Sequence, residues 1–295
     1  MTLEKLLSGL LIATLFEAMI SSSQAGEKGT IEELPSVVSL DYCADQYVLA
    51  LADRSQIKAV SRGAREKYSF YRKRAEGLPY TDSTIPEVIA LQPDIALQSY
   101  TVAARMPEMA ERTGFRLLKT KFGSAPEIVL ENVQTVGTAL GRIEAADVMA
   151  HEFTSRLEAL KVSSRSSLKI AYVTPSGFTS GAGTFVDGII ELAGFQSYAI
   201  SKNYQGWLLL PLEDLIMDPP DMFVTSFFDT NLRNQSNWSL SRHNRLLEMM
   251  EQIPTVHLPG SYLACNGLFL VDAAEAIREK AKKFGILKEE GEVDD

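Results

Sequence analysis

Two segments far apart in this chain repeat one arrangement. The first is Pro86-Glu87-Val88-Ile89-Ala90-Leu91-Gln92-Pro93-Asp94-Ile95, and the second is Leu212-Glu213-Asp214-Leu215-Ile216-Met217-Asp218-Pro219-Pro220-Asp221-Met222. Each places a glutamate at the start of an apolar helical run, then proline and aspartate, then the onset of a buried strand. The second copy carries one extra residue before its aspartate. Proline cannot continue a helix, and an acidic side chain in a first turn suits the positive end of the helix dipole, so each copy reads as helix, stop, strand. An element that returns in this way in both halves predicts two similar domains.

Between the copies, Arg142 to Ser167 contains neither glycine nor proline, and Ile143, Ala146, Met149, Ala150, Phe153, Leu157 and Leu160 recur at helical spacing. About twenty residues of helix would run roughly 30 Å, the width of a small domain. Ahead of it, Val37-Val38-Ser39-Leu40, Ile57 to Val60 and Ile95-Ala96-Leu97 read as strands alternating with helices, and Lys169 to Val173 opens a second alternating series lasting to about Phe284. That alternation predicts parallel, doubly wound sheets. The expected division is an N-terminal lobe over 35–141, a bridging helix over 142–167, a C-terminal lobe over 168–287 and an acidic, unstructured tail over 288–295.

The first 25 residues read differently. Leu6 to Phe16 is apolar apart from Ser8, Gly9 and Thr14, it follows Lys5, and Ser23-Gln24-Ala25 supplies the small residues of a cleavage site. Glu4 and Glu17 sit uneasily with an export signal, but the apolar residues cover most of the helix circumference and the run is too short for a permanent anchor. Export to the periplasm with cleavage after Ala25 is the expectation. Acidic residues outnumber basic ones by 38 to 29, a formal net charge of -9, which lacks the electrostatic footprint of a nucleic-acid binder.

Taken together, Val37 to Leu40, Glu87 to Asp94, the helix from Arg142, Gly181 to Gly194 and Glu213 to Asp221 resemble the periplasmic-binding protein family that delivers cobalamin and ferric siderophores to ATP-driven importers. The resemblance runs from about Pro35 to about Phe284. It implies an α/β fold of two Rossmann-like lobes joined by a single long bridging helix, with a ligand cleft between them. It also implies a non-enzymatic, monomeric capture protein whose partners are the permease of an ABC importer and its ATPase. Glu87 and Glu213 would each dock onto arginines of the permease, one per lobe; helix capping is the alternative reading of either glutamate.

Open α/β sheets bind ligands at the carboxyl ends of their strands. Those loops hold Asp41, Tyr42, Arg62, Tyr80 and Tyr100 in the first half and Trp207, Phe227, Phe228 and Tyr262 in the second. Tyrosine and tryptophan combine rigid apolar area with one hydrogen-bonding tip, which suits the flat faces and polar edges of metal chelates. Arg62 offers a planar fork of donors to an anionic siderophore. Haem is the alternative ligand, with Tyr80 near the position where haem-binding relatives carry a tyrosine, although that position itself holds Asp82.

Other features are read as structural. Gly181-Ala182-Gly183-Thr184 lacks the lysine of a phosphate loop and reads as a tight turn into a helix. His151, His243 and His257 are scattered, so neither a metal site nor a resident cofactor is expected. Cys43 and Cys265 fall one in each lobe, and free or buried thiols are expected because a bond across the cleft would lock lobes that must release cargo. An exported hydrolase is the competing class, but Gly-x-Ser-x-Gly and HExxH are both missing from the sequence.

Overall fold

A computed structural model of the chain describes residues 33–162, 166–227 and 244–287. The expected export signal, the tail, Phe228 and His243 lie outside these residues.

The first half runs β1 (Val37–Ser39), α1 (Tyr42–Leu51), β2 (Ile57–Ser61), β3 (Tyr80–Thr81), α2 (Ile85–Leu91), β4 (Ile95–Gln98), α3 (Met106–Thr113), β5 (Arg116–Lys119) and α4 (Pro126–Ala139). Its strands form one sheet in the order β3-β2-β1-β4-β5, and every pairing is parallel. Strands β1 and β4 are buried at every position, as continuous apolar strands covered on both faces must be. Pro86, Pro107 and Pro126 each stand in the first turn of their helix, where a missing N–H costs nothing. Helix α3 is stopped by Gly114 in the left-handed conformation, at φ 88°.

The second half runs α5 (Ile143–Val162), β6 (Lys169–Val173), β7 (Phe178–Ser180), α6 (Phe185–Leu192), β8 (Gln196–Ser197), α7 (Tyr198–Ser201), β9 (Trp207–Leu209), α8 (Leu212–Met217), β10 (Met222–Ser226), α9 (Asn244–Gln252), β11 (Thr255–Leu258), α10 (Gly260–Leu263) and α11 (Leu270–Lys283). Four strands form a second all-parallel sheet in the order β11-β10-β6-β8, and β7 pairs antiparallel with β9 as a separate ribbon. Helix α5 lies between the two sheets in the chain. It is described as far as Val162, and Ser166, inside the expected span, stands outside the helix. By Ser166 the backbone has turned away to donate to the carbonyl of Gly194 (2.7 Å) and its hydroxyl accepts from the N–H of Leu168 (3.2 Å), the local competition by which serine leaves a helix.

The repeated segments share a structural job at their aspartates. Asp94 accepts from the N–H (2.7 Å) and hydroxyl (2.6 Å) of Ser36, which fastens the start of β1 to the start of β4. Asp221 accepts from the N–H of Lys169 (2.7 Å), which does the same for β6 and β10. The Ser36 hydroxyl and N–H hold the Asp94 carboxyl below the usual carboxylate range. One cluster of buried residues runs from Val37 and Val48 through Phe153 and Leu157 of α5 to Ile170, Val224 and Ile277, so the helix and both sheets share a core.

Candidate ligand cleft

The carboxyl ends of both sheets converge on a cavity of about 500 Å³, within the usual range for small-molecule sites. In the first sheet it opens beside β1 and β4, where the strand order reverses, the position at which doubly wound sheets take ligands. Asp41, directly after β1, organises that wall. Its Oδ1 accepts from the N–H groups of Cys43 (3.0 Å) and Ala44 (2.9 Å), capping α1, and its Oδ2 accepts from those of Ser99 (2.6 Å) and Tyr100 (3.1 Å). One buried carboxylate thus ties the loop after β4 to the start of α1. The tie brings Tyr42 and Tyr100 together, their hydroxyls 3.2 Å apart. Phe122 stacks on Tyr100 at 5.0 Å between ring centroids. Burial, then the contact with Tyr42, pushes the Tyr100 hydroxyl up, so it stays protonated.

The opposite wall belongs to the second sheet and its ribbon. Tyr172 of β6 is buried with its hydroxyl 2.6 Å from that of Ser226. Trp207 of β9 stands edge-on to the rings of Tyr172 and Phe185, both at 6.1 Å, and remains 47% exposed. Gly181-Ala182-Gly183-Thr184 turns into α6 as expected. Thr184 caps the helix by accepting from the N–H of Asp187 (3.3 Å), and a Cβ on Gly181 would lie 2.5 Å from the carbonyl of Tyr204. Thr174 and Phe227 close this wall, and Gly260 leaves the room that Phe227 occupies, because a Cβ there would lie 2.6 Å from its ring.

Leu263 and Ala264 complete the lining, and beside them lies a bond that corrects the sequence expectation. Cys43 and Cys265 form a disulfide with their Cα atoms 5.5 Å apart. They are not free thiols: the packing of the turn after α10 against the start of α1 brings the two side chains within bonding reach.

Of the expected ligand residues, the structure brings Tyr42, Tyr100, Trp207 and Phe227 around the cavity and places four others elsewhere. Asp41 is spent on four backbone amides. Arg62 is exposed, paired with Asp82 (Nη2 to Oδ2 2.9 Å) and lying 4.5 Å over the Tyr80 ring, so these two satisfy each other at the surface. Tyr262 packs against Phe70 at 5.6 Å. Sequence reasoning missed Phe122, Tyr172, Thr174 and Phe185. Phe122 sits three residues past β5 and could have been found by extending the loop rule to that strand, whereas Tyr172 and Phe185 are embedded in apolar runs.

Glu87 and Glu213 both occupy the first turn of their helices, α2 and α8. Glu87 Oε2 accepts from the hydroxyl of Thr81 and the N–H of Asp82, both at 2.8 Å, and these contacts hold its carboxyl below the usual carboxylate range. Glu213 is exposed. His151 is exposed on α5, and His257 Nδ1 lies 2.6 Å from the Thr225 hydroxyl. Among the described residues no group of three or more His, Cys, Asp or Glu side chains is placed to hold a metal ion. A larger depression of about 760 Å³, between the start of α4 and β8, carries one aromatic residue, Phe195, and lies away from the convergence of strand ends.

The family model described as periplasmic binding protein matches residues 37–237, more than half of the chain. The chain belongs to the periplasmic binding protein family. A cobalamin-binding protein of Halobacterium salinarum is 25% identical over 203 residues, 66% of this chain and 55% of the relative, so the chain spans about half the length of that curated relative. Among solved structures, the vitamin B12 binding protein of Vibrio cholerae superposes with a TM-score of 0.66 at 17% identity, covering 86% of this chain and 99% of the other. A haem-binding protein of Roseiflexus gives 0.67 at 18%, covering 84% and 100%. An Fe3+-hydroxamate transport protein of Saccharomonospora viridis gives 0.65 at 17%, covering 84% and 93%. At these identities the structural neighbours establish the fold: an α/β architecture of parallel sheets flanked by helices, shared with two-lobed binding proteins.

Proposed function

We propose that this chain is the substrate-binding component of an ABC importer, taking a metal chelate into the aromatic cleft and delivering it to a membrane permease. The observation that carries the reading is the convergence of Tyr42, Tyr100 and Phe122 from one sheet with Trp207, Tyr172 and Phe185 from the other around a single cavity at the carboxyl ends of the strands. Flat aromatic walls suit the face of a macrocycle or chelate, and the tyrosine and threonine hydroxyls suit its polar edge. Cobalamin or a ferric siderophore is the ligand of first choice. Haem is the second reading, favoured by the paired hydroxyls of Tyr42 and Tyr100 in the lining, and the names of the relatives span all three.

Glu87 and Glu213, one at a helix start in each half, are assigned to docking on permease arginines. A two-point contact between carboxylates and arginines sets orientation and association rate more than affinity. The chain would work as a monomer in the periplasm after cleavage following Ala25, and N-terminal sequencing of the exported protein should begin at Gly26. The two lobes are assigned to 35–141 and 168–287, on either side of α5.

Calorimetric titration of the purified protein with cyanocobalamin, haemin and a ferric hydroxamate tests the central claim. One of the three should bind with a micromolar or lower Kd, about 8 kcal/mol or more. Binding of none of them, together with esterase or peptidase turnover, would overturn the reading in favour of a hydrolase.

A further inference from the structure

We infer that the Cys43–Cys265 disulfide is a positioning element of the ligand cleft, clamping its two walls together at the floor so that the site is assembled before a ligand arrives. The inference rests on the reading of this cavity as the ligand site. Cys43 is the second residue of α1 and directly follows Tyr42; Cys265 directly follows Leu263 and Ala264; all three neighbours line the cavity. The bond joins residues 222 apart in sequence, one in α1 of the first half and one in the turn between α10 and α11 of the second. It therefore constrains the relative placement of two walls that no short loop connects.

Its position is tied directly to a lining side chain. The Tyr100 hydroxyl lies 3.1 Å from Cys43 Sγ, and with both sulfurs bonded to each other the phenol is the donor. Tyr42 can then donate to Tyr100, and its own oxygen keeps lone pairs for a third partner. Moving Cys43 away from Cys265 would disturb this chain of contacts along with the wall.

Weaker contacts already cross at the same place. The Tyr47 hydroxyl donates to the carbonyl of Asn266 (3.0 Å), Asn266 Nδ2 donates to the carbonyl of Gly123 (3.1 Å), and Phe70 stacks on Phe269 at 4.6 Å. Individually such contacts open and close; a covalent bond in their midst removes the open excursions. A site held in its binding geometry avoids the ordering cost that a free site meets on each encounter. The clamp also confines any motion between the lobes to parts of the molecule away from this corner.

The test compares the native protein, the protein treated with dithiothreitol and the double variant Cys43→Ser, Cys265→Ser. In the treated sample the S–S bond breaks, each sulfur gains one electron and one proton, and dithiothreitol closes to its cyclic disulfide. With cyanocobalamin, haemin and a ferric hydroxamate as probes, whichever binds the native protein should bind the reduced protein and the variant at least tenfold more weakly, and reoxidation of the reduced protein should restore the affinity. Amide exchange without ligand should rise at Tyr42, Tyr100 and Ala264 while the central strands β1 and β6 keep their protection. Unchanged affinity in a folded variant overturns the clamp. So does exchange that rises evenly across the molecule, which would mark the bond as a general staple. If the native protein binds none of the probes, the ligand reading fails by itself, and the exchange comparison still decides whether the bond holds the cleft walls together.

Discussion

Asp45 shows how much a single side chain can say. It lies fully buried in α1, with Oδ1 accepting from the Ser61 N–H (2.9 Å) and Oδ2 at 2.6 Å from the Ser61 hydroxyl. Burial outweighs these bonds and pushes its carboxyl up to about 7. An unfolded aspartate ionises near 3.9, so between roughly pH 4 and 7 the folded chain holds a proton that the unfolded chain has released, and stability falls as pH rises through that window. Glu87 and Asp94 are shifted downward, so the stability they add is already present above the ordinary carboxylate range and does not vary there. The urea midpoint should therefore drop between pH 5 and pH 8, and Asp45→Asn should flatten the slope; an unchanged slope would assign it to other groups. Trp207 makes the matching prediction for the cleft. Because it is half exposed, Trp207→Ala should leave the fold intact while weakening chelate binding by about 2 kcal/mol, the loss typical of a truncated central aromatic. Calorimetry on the variant checks this, and an unaltered Kd would remove Trp207 from the site.

At the scale of elements, α6 depends on a close approach. A Cβ on Gly188 would lie 2.3 Å from the carbonyl oxygen of Ser124, in the segment that leads into α4. Neither backbone can yield cheaply, so Gly188→Ala should cost about 1–3 kcal/mol, read as a lowered Tm. The strands β1, β4 and β6 were legible in the sequence because strands buried on both faces leave unbroken apolar runs. Helix α5 was legible through its stripe from Ala146 to Leu160, which packs into the core, whereas Ile143 at its start is exposed. The two-residue strands β3 and β8 and the β7–β9 ribbon left no such trace, since a strand that short is defined by its partner. The same ambiguity governed the site. An aspartate just past a strand reads equally as a ligand contact or a helix cap, and only the four amides around Asp41 decide. Tyr172 was hidden because a tyrosine in an apolar strand reads as core, which it also is.

Across the whole molecule, the relation between the two halves is what the sequence could not express. Pairing of Cys43 with Cys265 depends on how one sheet sits against the other, and nothing in their surroundings records it. The two repeat glutamates pose the remaining question at this scale. Charge reversal at both, Glu87→Lys with Glu213→Lys, should abolish chelate uptake in proteoliposomes carrying the cognate permease while leaving the Kd for chelate unchanged. Native docking should slow as salt rises, since exposed charges are screened over about 10 Å at 0.1 M. A fall in chelate affinity in the double variant would instead assign these residues to the site. The aspartates of the same repeat carry a different consequence. Asp94 and Asp221 grip the starts of β1 and β6, at the ends of the sheets farthest from the cavity, and a strand that slips by one residue presents every side chain to the wrong face. Strands of three to five residues span only about 10–17 Å, so an error at that grip would arrive undiminished at Tyr42, Tyr100 and Thr174. The two carboxylates act as the datum from which the cleft is measured, and a binding site can be lost by loosening it from its far side.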